Sequence, residues 1–183
     1  PEIPHAMTTE EISQVLDGYE KSFKNAVEGG VDGIEIHAAH EYLLGQFLSP
    51  LNNLRTDEYG GSMDNRMRLL NEVVMLARKT VGDDMVVGIR INGSDLVDAS
   101  LSNDDYVEVA RNIEALASVD YLSISAGTSR DNHMIVPPMD TPEGLYVDYA
   151  ANIRAAVTLP VMAVGRLKNL SLIHISEPTR RTP

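Results

Sequence analysis

The sequence predicts an α/β protein that forms part of a (β/α)8 barrel, and three observations predict it. Helical and strand patterns alternate four times along the 183 residues. Polar loops follow the strands while the turns into them are short, the asymmetry of a barrel whose site is built from the loops after its strands. Residues 85–91, Met-Val-Val-Gly-Ile-Arg-Ile, are apolar nearly throughout, as parallel strands covered on both faces tend to be. A doubly wound sheet is the runner-up, but no G-x-G-x-x-G follows any strand. Four strands are half a barrel, and complete ones run to about 250 residues. An incomplete domain is therefore expected. Its strands should be apolar on both faces, with Ile34, Ile36 and Val87 among the residues turned to the barrel interior.

Each element has its own signal. Thr8 and Glu11 have the spacing of a capping box and open a helix over 8–28, with Ile12, Val15, Leu16, Tyr19, Phe23, Ala26 and Val27 on one face. Gly29 and Gly30 end it, glycine being the residue that tolerates a left-handed cap. Ile34 and Ile36 alternate with Glu35 in a strand over 33–37. A short helix over 42–48 is stopped by Pro50. Ser62 caps a helix over 64–80 that carries Met67, Leu70, Val73, Val74 and Ala77 on one face. The strand 85–91 follows. Ser102 and Asp105 make a second capping box before a helix over 103–117. Then come a strand over 119–125, a polar loop over 128–144, a helix over 146–157 and a strand over 160–165.

Composition narrows the function. A net charge of −12 argues against a nucleic-acid partner, because nothing would neutralise the phosphates. No apolar run approaches 18 residues, so no membrane span is expected. No signal segment is expected from the opening residues given. The absence of cysteine fits a reducing compartment, and a cytoplasmic location is expected.

Chemistry concentrates after the first strand. His37, His40 and Tyr42 fall within six residues at the carboxyl end of that strand, where ligands bind in parallel α/β proteins. A polar stretch from Asn52 to Gly61 follows, and long polar loops inside compact domains are usually functional. On spacing alone His37 and His40 could serve a metal, a substrate or structure. The pair is not H-E-x-x-H, and no carboxylate stands at a helical offset as a third ligand, so no metal site is assigned. Tyr42 could be a packing residue and Arg90 could pair with a carboxylate. Arg55, Asp57, Tyr59 and Arg66 read as the loop's own contacts. A metal-dependent (β/α)8 hydrolase using His37 and His40, or a non-catalytic binding module, remain the alternatives.

The stretch GVDGIEIHAAHEYLLGQFLSPLNNLRTDEYGGSMDNRMRLLNEVV, with the later VVGIRIN and PVMAVGR, resembles the old yellow enzyme family of FMN-dependent NAD(P)H oxidoreductases. The resemblance covers about residues 1–168 and implies a TIM barrel of which these are about strands 4–7. It implies a single FMN-binding domain over 1–169. His37 and His40 resemble the pair that hydrogen-bonds the carbonyl of an α,β-unsaturated substrate, and Tyr42 resembles the tyrosine that protonates the substrate carbon. Arg90 resembles the arginine beside flavin N1, and Gly165 and Arg166 part of the phosphate site. The implied cofactors are FMN and NAD(P)H as reductant, the partner a small electron-poor alkene, and the parent protein a homo-oligomer. The expected activity is reduction of C=C bonds conjugated to a carbonyl, with a fragment of this length inactive alone. The tail, 170–183, is unlike the family and is similar to a translated sequencing-adapter peptide.

Overall fold

A computed structural model describes residues 5–168; the tail reading at 170–183 lies outside them. The elements are α1 (Thr9–Glu28), β1 (Gly33–His37), α2 (Leu43–Leu48), α3 (Met63–Val81), β2 (Val86–Asn92), α4 (Asn103–Ala115), β3 (Tyr121–Ser125), a 3-10 turn (Ser129–Asp131), α5 (Asn132–Ile135), α6 (Val147–Ala156) and β4 (Val161–Ala163). The four strands lie in the order β1-β2-β3-β4, and every neighbouring pair is parallel. Helical crossovers lie between them, so the described residues form four successive strands of a partial (β/α)8 barrel.

The caps are where the sequence puts them. Thr8 and Glu11 close a reciprocal capping box, as do Ser102 and Asp105, and Ser62 accepts from the Asn65 N–H. Gly30 leaves α1 at φ 67°, a conformation that costs other residues about 1–2 kcal/mol. The expected loop at 128–144 instead holds the 3-10 turn and the single turn of α5. β4 is three residues long, so Gly165 lies beyond the strand rather than ending it.

The sheet is not apolar on both faces. Ile34 pairs with Val87 and Ile36 with Ile89; Ile89 pairs with Leu122 and Ile91 with Ile124. These residues join the helices in one core with Met67, Leu70, Val73, Val109, Ile113 and Ile153. Ile34, Ile36 and Val87 therefore face the helix layer, not the barrel interior. Side chains alternate along a strand, so the intervening positions form the other face: Glu35, His37, Gly88, Arg90, Tyr121 and Ser123. The nearly unbroken apolar run of β2 hid this, because Gly88 and Arg90 are the residues on its second face that break it. A Cβ at Gly88 would come within 2.0 Å of the Tyr121 ring, which crosses over it to hydrogen-bond Glu35, so a larger residue there would displace that ring.

The strap between α2 and α3 is braced by contacts among its own residues and with α3. Arg55 pairs with Asp57, the Tyr59 hydroxyl donates to Glu72, and Arg66 donates to the Leu48 and Gly61 carbonyls. This is the structural role read for these residues from the sequence. Among the described residues, no helix is long and apolar enough to cross a membrane.

Candidate active site

β1 delivers His37 to the carboxyl edge of the sheet, directly opposite Arg90 of β2. The Ala38 N–H still donates to the Arg90 carbonyl at 2.8 Å. The chain then turns sharply through His40 and Glu41, both left-handed at φ 61° and 59°. Tyr42 follows as the residue before α2. The result is a tight aromatic group. The His37 ring centroid lies 5.5 Å from that of His40 and 5.2 Å from that of Tyr42. Tyr42 is 58% exposed, so it is not a packing tyrosine; His40 is buried.

Two buried networks hold the turn. The His40 N–H donates to Asn92 Oδ1 at 3.3 Å, and Asn92 Nδ2 donates to Asp95 and to the Gly127 carbonyl. Asp95 also accepts from Tyr106, Ser100 and the Leu101 N–H. On the other side, Glu41 accepts from Asn52 Nδ2 at 2.7 Å, Ser129 Oγ at 2.7 Å and Arg130 Nε at 3.3 Å. Burial pushes the Glu41 carboxyl up, but the hydrogen bonds from Ser129, Asn52 and Arg130 together outweigh it and hold the group below its ordinary value.

The histidines are poised neutral. Burial lowers the His37 pKa first, helped by His40 and Arg90 and opposed by Glu35. Burial is also the main cause for His40, with Arg90 adding and the Gly127 carbonyl and Asp95 opposing. His40 Nδ1 lies 3.1 Å from the Gly127 carbonyl oxygen. A carbonyl only accepts, so Nδ1 carries the proton of the neutral ring and Nε2 is left with a lone pair.

Arg90 is anchored by its Nε, 3.1 Å from Glu35 Oε1 and 3.2 Å from Ser123 Oγ. The carboxylate pairing weighed for it from the sequence is thus real. Its terminal amino groups have no hydrogen-bond partner among the described residues and remain available on the open face.

Gly165 and Arg166 lie at the same edge of the sheet, past β4. β2 and β3 stand between them and β1, so at about 4.8 Å per strand the separation is about 14 Å. They do not join the histidine cluster. Gly165 adopts φ 111° against Tyr146, where a Cβ would stand 2.6 Å from the ring. The Arg166 side chain turns back to the Pro138 and Thr141 carbonyls. The Gly165 and Arg166 N–H groups have no partner among the described residues.

These groups suit a flavin nucleotide. A guanidinium anchored at Nε, its terminal donors without a partner among the described residues, matches an electron-rich ring edge, and backbone N–H groups likewise without a partner among those residues, at a positive-φ glycine, match a phosphate. Among the described residues, no three His, Cys, Asp or Glu side chains gather to hold a metal ion.

The sequence did not single out Glu35, Glu41, Asn92, Asp95 or Arg130 as site residues. Asn92 had a signal, as a polar residue ending an apolar strand. Arg130 had none, because its pairing with Glu41 spans 89 positions.

The chain resembles known proteins in sequence and in fold. The chain is 37% identical over 164 residues to an N,N-dimethylglycine/sarcosine dehydrogenase of Chromohalobacter salexigens, covering 87% of this chain and 24% of that protein. It is 38% identical over 162 residues to an NADPH dehydrogenase of Bacillus velezensis, covering 88% and 46%. Its fold superposes on an old yellow enzyme homologue from Zymomonas mobilis with a TM-score of 0.71 at 25% identity, covering 93% and 46%. The chain thus spans about a quarter to a half of the length of these proteins. The model of the NADH:flavin oxidoreductase / NADH oxidase family matches residues 1–180, and the chain belongs to that family.

Proposed function

We propose that the chain is the substrate-facing part of an FMN-dependent NAD(P)H oxidoreductase that reduces electron-poor C=C bonds conjugated to a carbonyl. The observation that supports it best is the cluster of His37, His40 and Tyr42 beside Arg90 at one edge of a polar sheet face. FMN, recharged by NAD(P)H, would supply the hydride. Arg90 is the group that would face the flavin ring edge, and the Gly165 and Arg166 N–H groups would meet its phosphate.

The rest of the work falls to the cluster. His37 has no hydrogen-bond partner among the described residues and can donate to a substrate carbonyl oxygen. That draws electron density from the conjugated double bond and makes its far carbon a hydride acceptor. His40, fixed by Gly127 with its proton on Nδ1, donates to the same oxygen only as the imidazolium. Tyr42, exposed beside His37, supplies the proton for the adjacent carbon; a positioned acid typically contributes about 10²–10⁴-fold.

The test uses the complete flavoenzyme. His37→Ala with His40→Ala is expected to weaken binding of a simple phenol at least about 100-fold, the loss of two charge-assisted or neutral hydrogen bonds, while FMN stays bound. Tyr42→Phe is expected to slow substrate reduction and spare flavin reduction by NAD(P)H. Equal slowing of both half-reactions in stopped-flow would contradict the proton-donor role.

A further inference from the structure

The turn after β1 places two consecutive non-glycine residues, His40 and Glu41, in the left-handed region. Each costs about 1–2 kcal/mol of backbone strain, so surrounding contacts must hold the turn. The Glu41 side chain supplies many of them. The residue is 6% exposed, and its carboxylate accepts from two segments at once: Asn52 on the strap after α2, and Ser129 and Arg130 on the turn after β3. Arg130 Nη2 also donates to Asn52 Oδ1 at 2.9 Å, which closes the ring of contacts. Glu41 is the acceptor for the Ser129 hydroxyl, and the Arg130 side chain bonds only Glu41 and Asn52 among the described residues. None of these four side chains belongs to the apolar core. The fold does not need the carboxylate to fill space; the carboxylate fixes one loop against another.

We propose that Glu41 is a positioning residue: its buried carboxylate clamps the loop after β3 to the turn that carries His40 and Tyr42, and so sets how tightly the cluster grips a ligand oxygen. The inference rests on the reading of His37, His40 and Tyr42 as the ligand-binding group. The turn is bracketed on both sides. Asn92 and Gly127 hold His40, and Ser129, Arg130 and Asn52 hold Glu41, the next residue. With the clamp gone, the turn keeps the Gln46 side chain on the Glu41 carbonyl and the contacts of His40, but nothing ties Glu41 to Ser129, Arg130 and Asn52, and the turn can shift relative to the loop after β3. A displacement of about 1 Å in a positioned group can cost about 100-fold, so a modest relaxation is enough to register in ligand affinity.

Glycine makes a clean test. It accepts φ 59° without strain, so Glu41→Gly removes the clamp while favouring the observed backbone. Glu41→Gln is the conservative partner. Its amide oxygen can still accept from Asn52 and Arg130, and its NH2 can donate to Ser129, whose hydroxyl also accepts. In the complete flavoenzyme, Glu41→Gly is expected to retain full FMN content and to lower the thermal midpoint by a few degrees at most. The Kd for a simple phenol and the KM for a cyclic enone should each rise about tenfold, with Glu41→Gln within about threefold of the parent. Unchanged phenol affinity in Glu41→Gly would overturn the inference. So would an affinity loss that tracks loss of FMN and a fall of more than about 10 °C in the midpoint, the mark of general destabilisation. A parent enzyme that binds no FMN at all would instead bring down the functional reading, and the inference with it.

Discussion

The two faces of one four-stranded sheet divide the labour in this chain. The face that meets the helices carries Ile36, Val87, Ile89, Ile91, Leu122 and Ile124, all buried. The opposite face carries Glu35, His37, Arg90, Tyr121 and Ser123, joined by Tyr121 donating to Glu35, Glu35 pairing with Arg90, and Arg90 donating to Ser123. Successive residues of the same strand thus serve opposite ends. Ile89 is fully buried among helices, while Arg90 lies on the other side with terminal amino groups that have no partner among the described residues. The difference teaches that fold and site are written into the same residues at a period of two. A change on one face should therefore be nearly silent on the other.

The largest expected effect concerns the sheet's borders rather than its faces. β1 and β4 are each paired on one side only among the described residues. Unpaired strand edges invite pairing with other chains, and a closed barrel has none. Expressed alone, the 183-residue chain is expected to aggregate or oligomerise and to retain no FMN. The cause is these edges in a chain that spans less than half of the relatives it matches; the polar second face does not supply the apolar patch that an all-apolar sheet would expose. A soluble yellow monomer in size-exclusion chromatography, active with an enone, would refute this.

The next effect separates the faces directly. In the complete enzyme, Leu122→Ala, at a fully buried position, is expected to cost about 2–5 kcal/mol of stability. Ser123→Ala, one residue on, removes only the hydroxyl that steadies Arg90, and its stability cost is expected to be about 1 kcal/mol. Urea unfolding of both variants measures the contrast. Similar losses would mean that the two faces are mechanically coupled and the division fails.

The helix-facing half was legible because burial imposes periodicity. Ile12 to Phe23 on α1 and Met67 to Ala77 on α3 repeat at helical spacing, and the caps at Thr8, Ser62 and Ser102 mark where each helix begins. His37, His40 and Tyr42 were legible because they crowd within six residues after a strand. What brings Glu41 to Arg130, or Asn92 to Gly127, is the return of the chain after a helical crossover, and no local pattern encodes it. The apolar second face expected for the sheet followed from counting apolar residues in β2 without separating odd from even positions. Separated, Val87, Ile89 and Ile91 fall on one side, and Gly88 and Arg90 on the other.

The smallest expected effect is a pH dependence that would sharpen the account of the polar face. His40 has its Nδ1 proton committed to Gly127, and its pKa is lowered mainly by burial, with Arg90 adding and Gly127 and Asp95 opposing. His37 stands beside it with a pKa also lowered, mainly by burial. At neutral pH both rings are therefore uncharged. A ketone oxygen can accept from His40 only through a protonated Nε2, so binding a non-ionising ketone takes up a proton. Affinity should rise as pH falls from 8 toward the lowered pKa of His40 in the free enzyme, by up to about tenfold per pH unit for a one-proton uptake. Stability runs the other way. Below about pH 6.5 the unfolded chain protonates these histidines before the folded one does, so the free enzyme loses stability as pH falls through that range, and the ketone restores part of the loss. His40→Asn supplies the control: asparagine tolerates the left-handed backbone, and its amide donor does not titrate. Ketone affinity measured from pH 5.5 to 8 should slope in the parent enzyme and flatten in His40→Asn. A flat profile in the parent would show that His40 does not donate to the ligand and that His37 alone holds the oxygen.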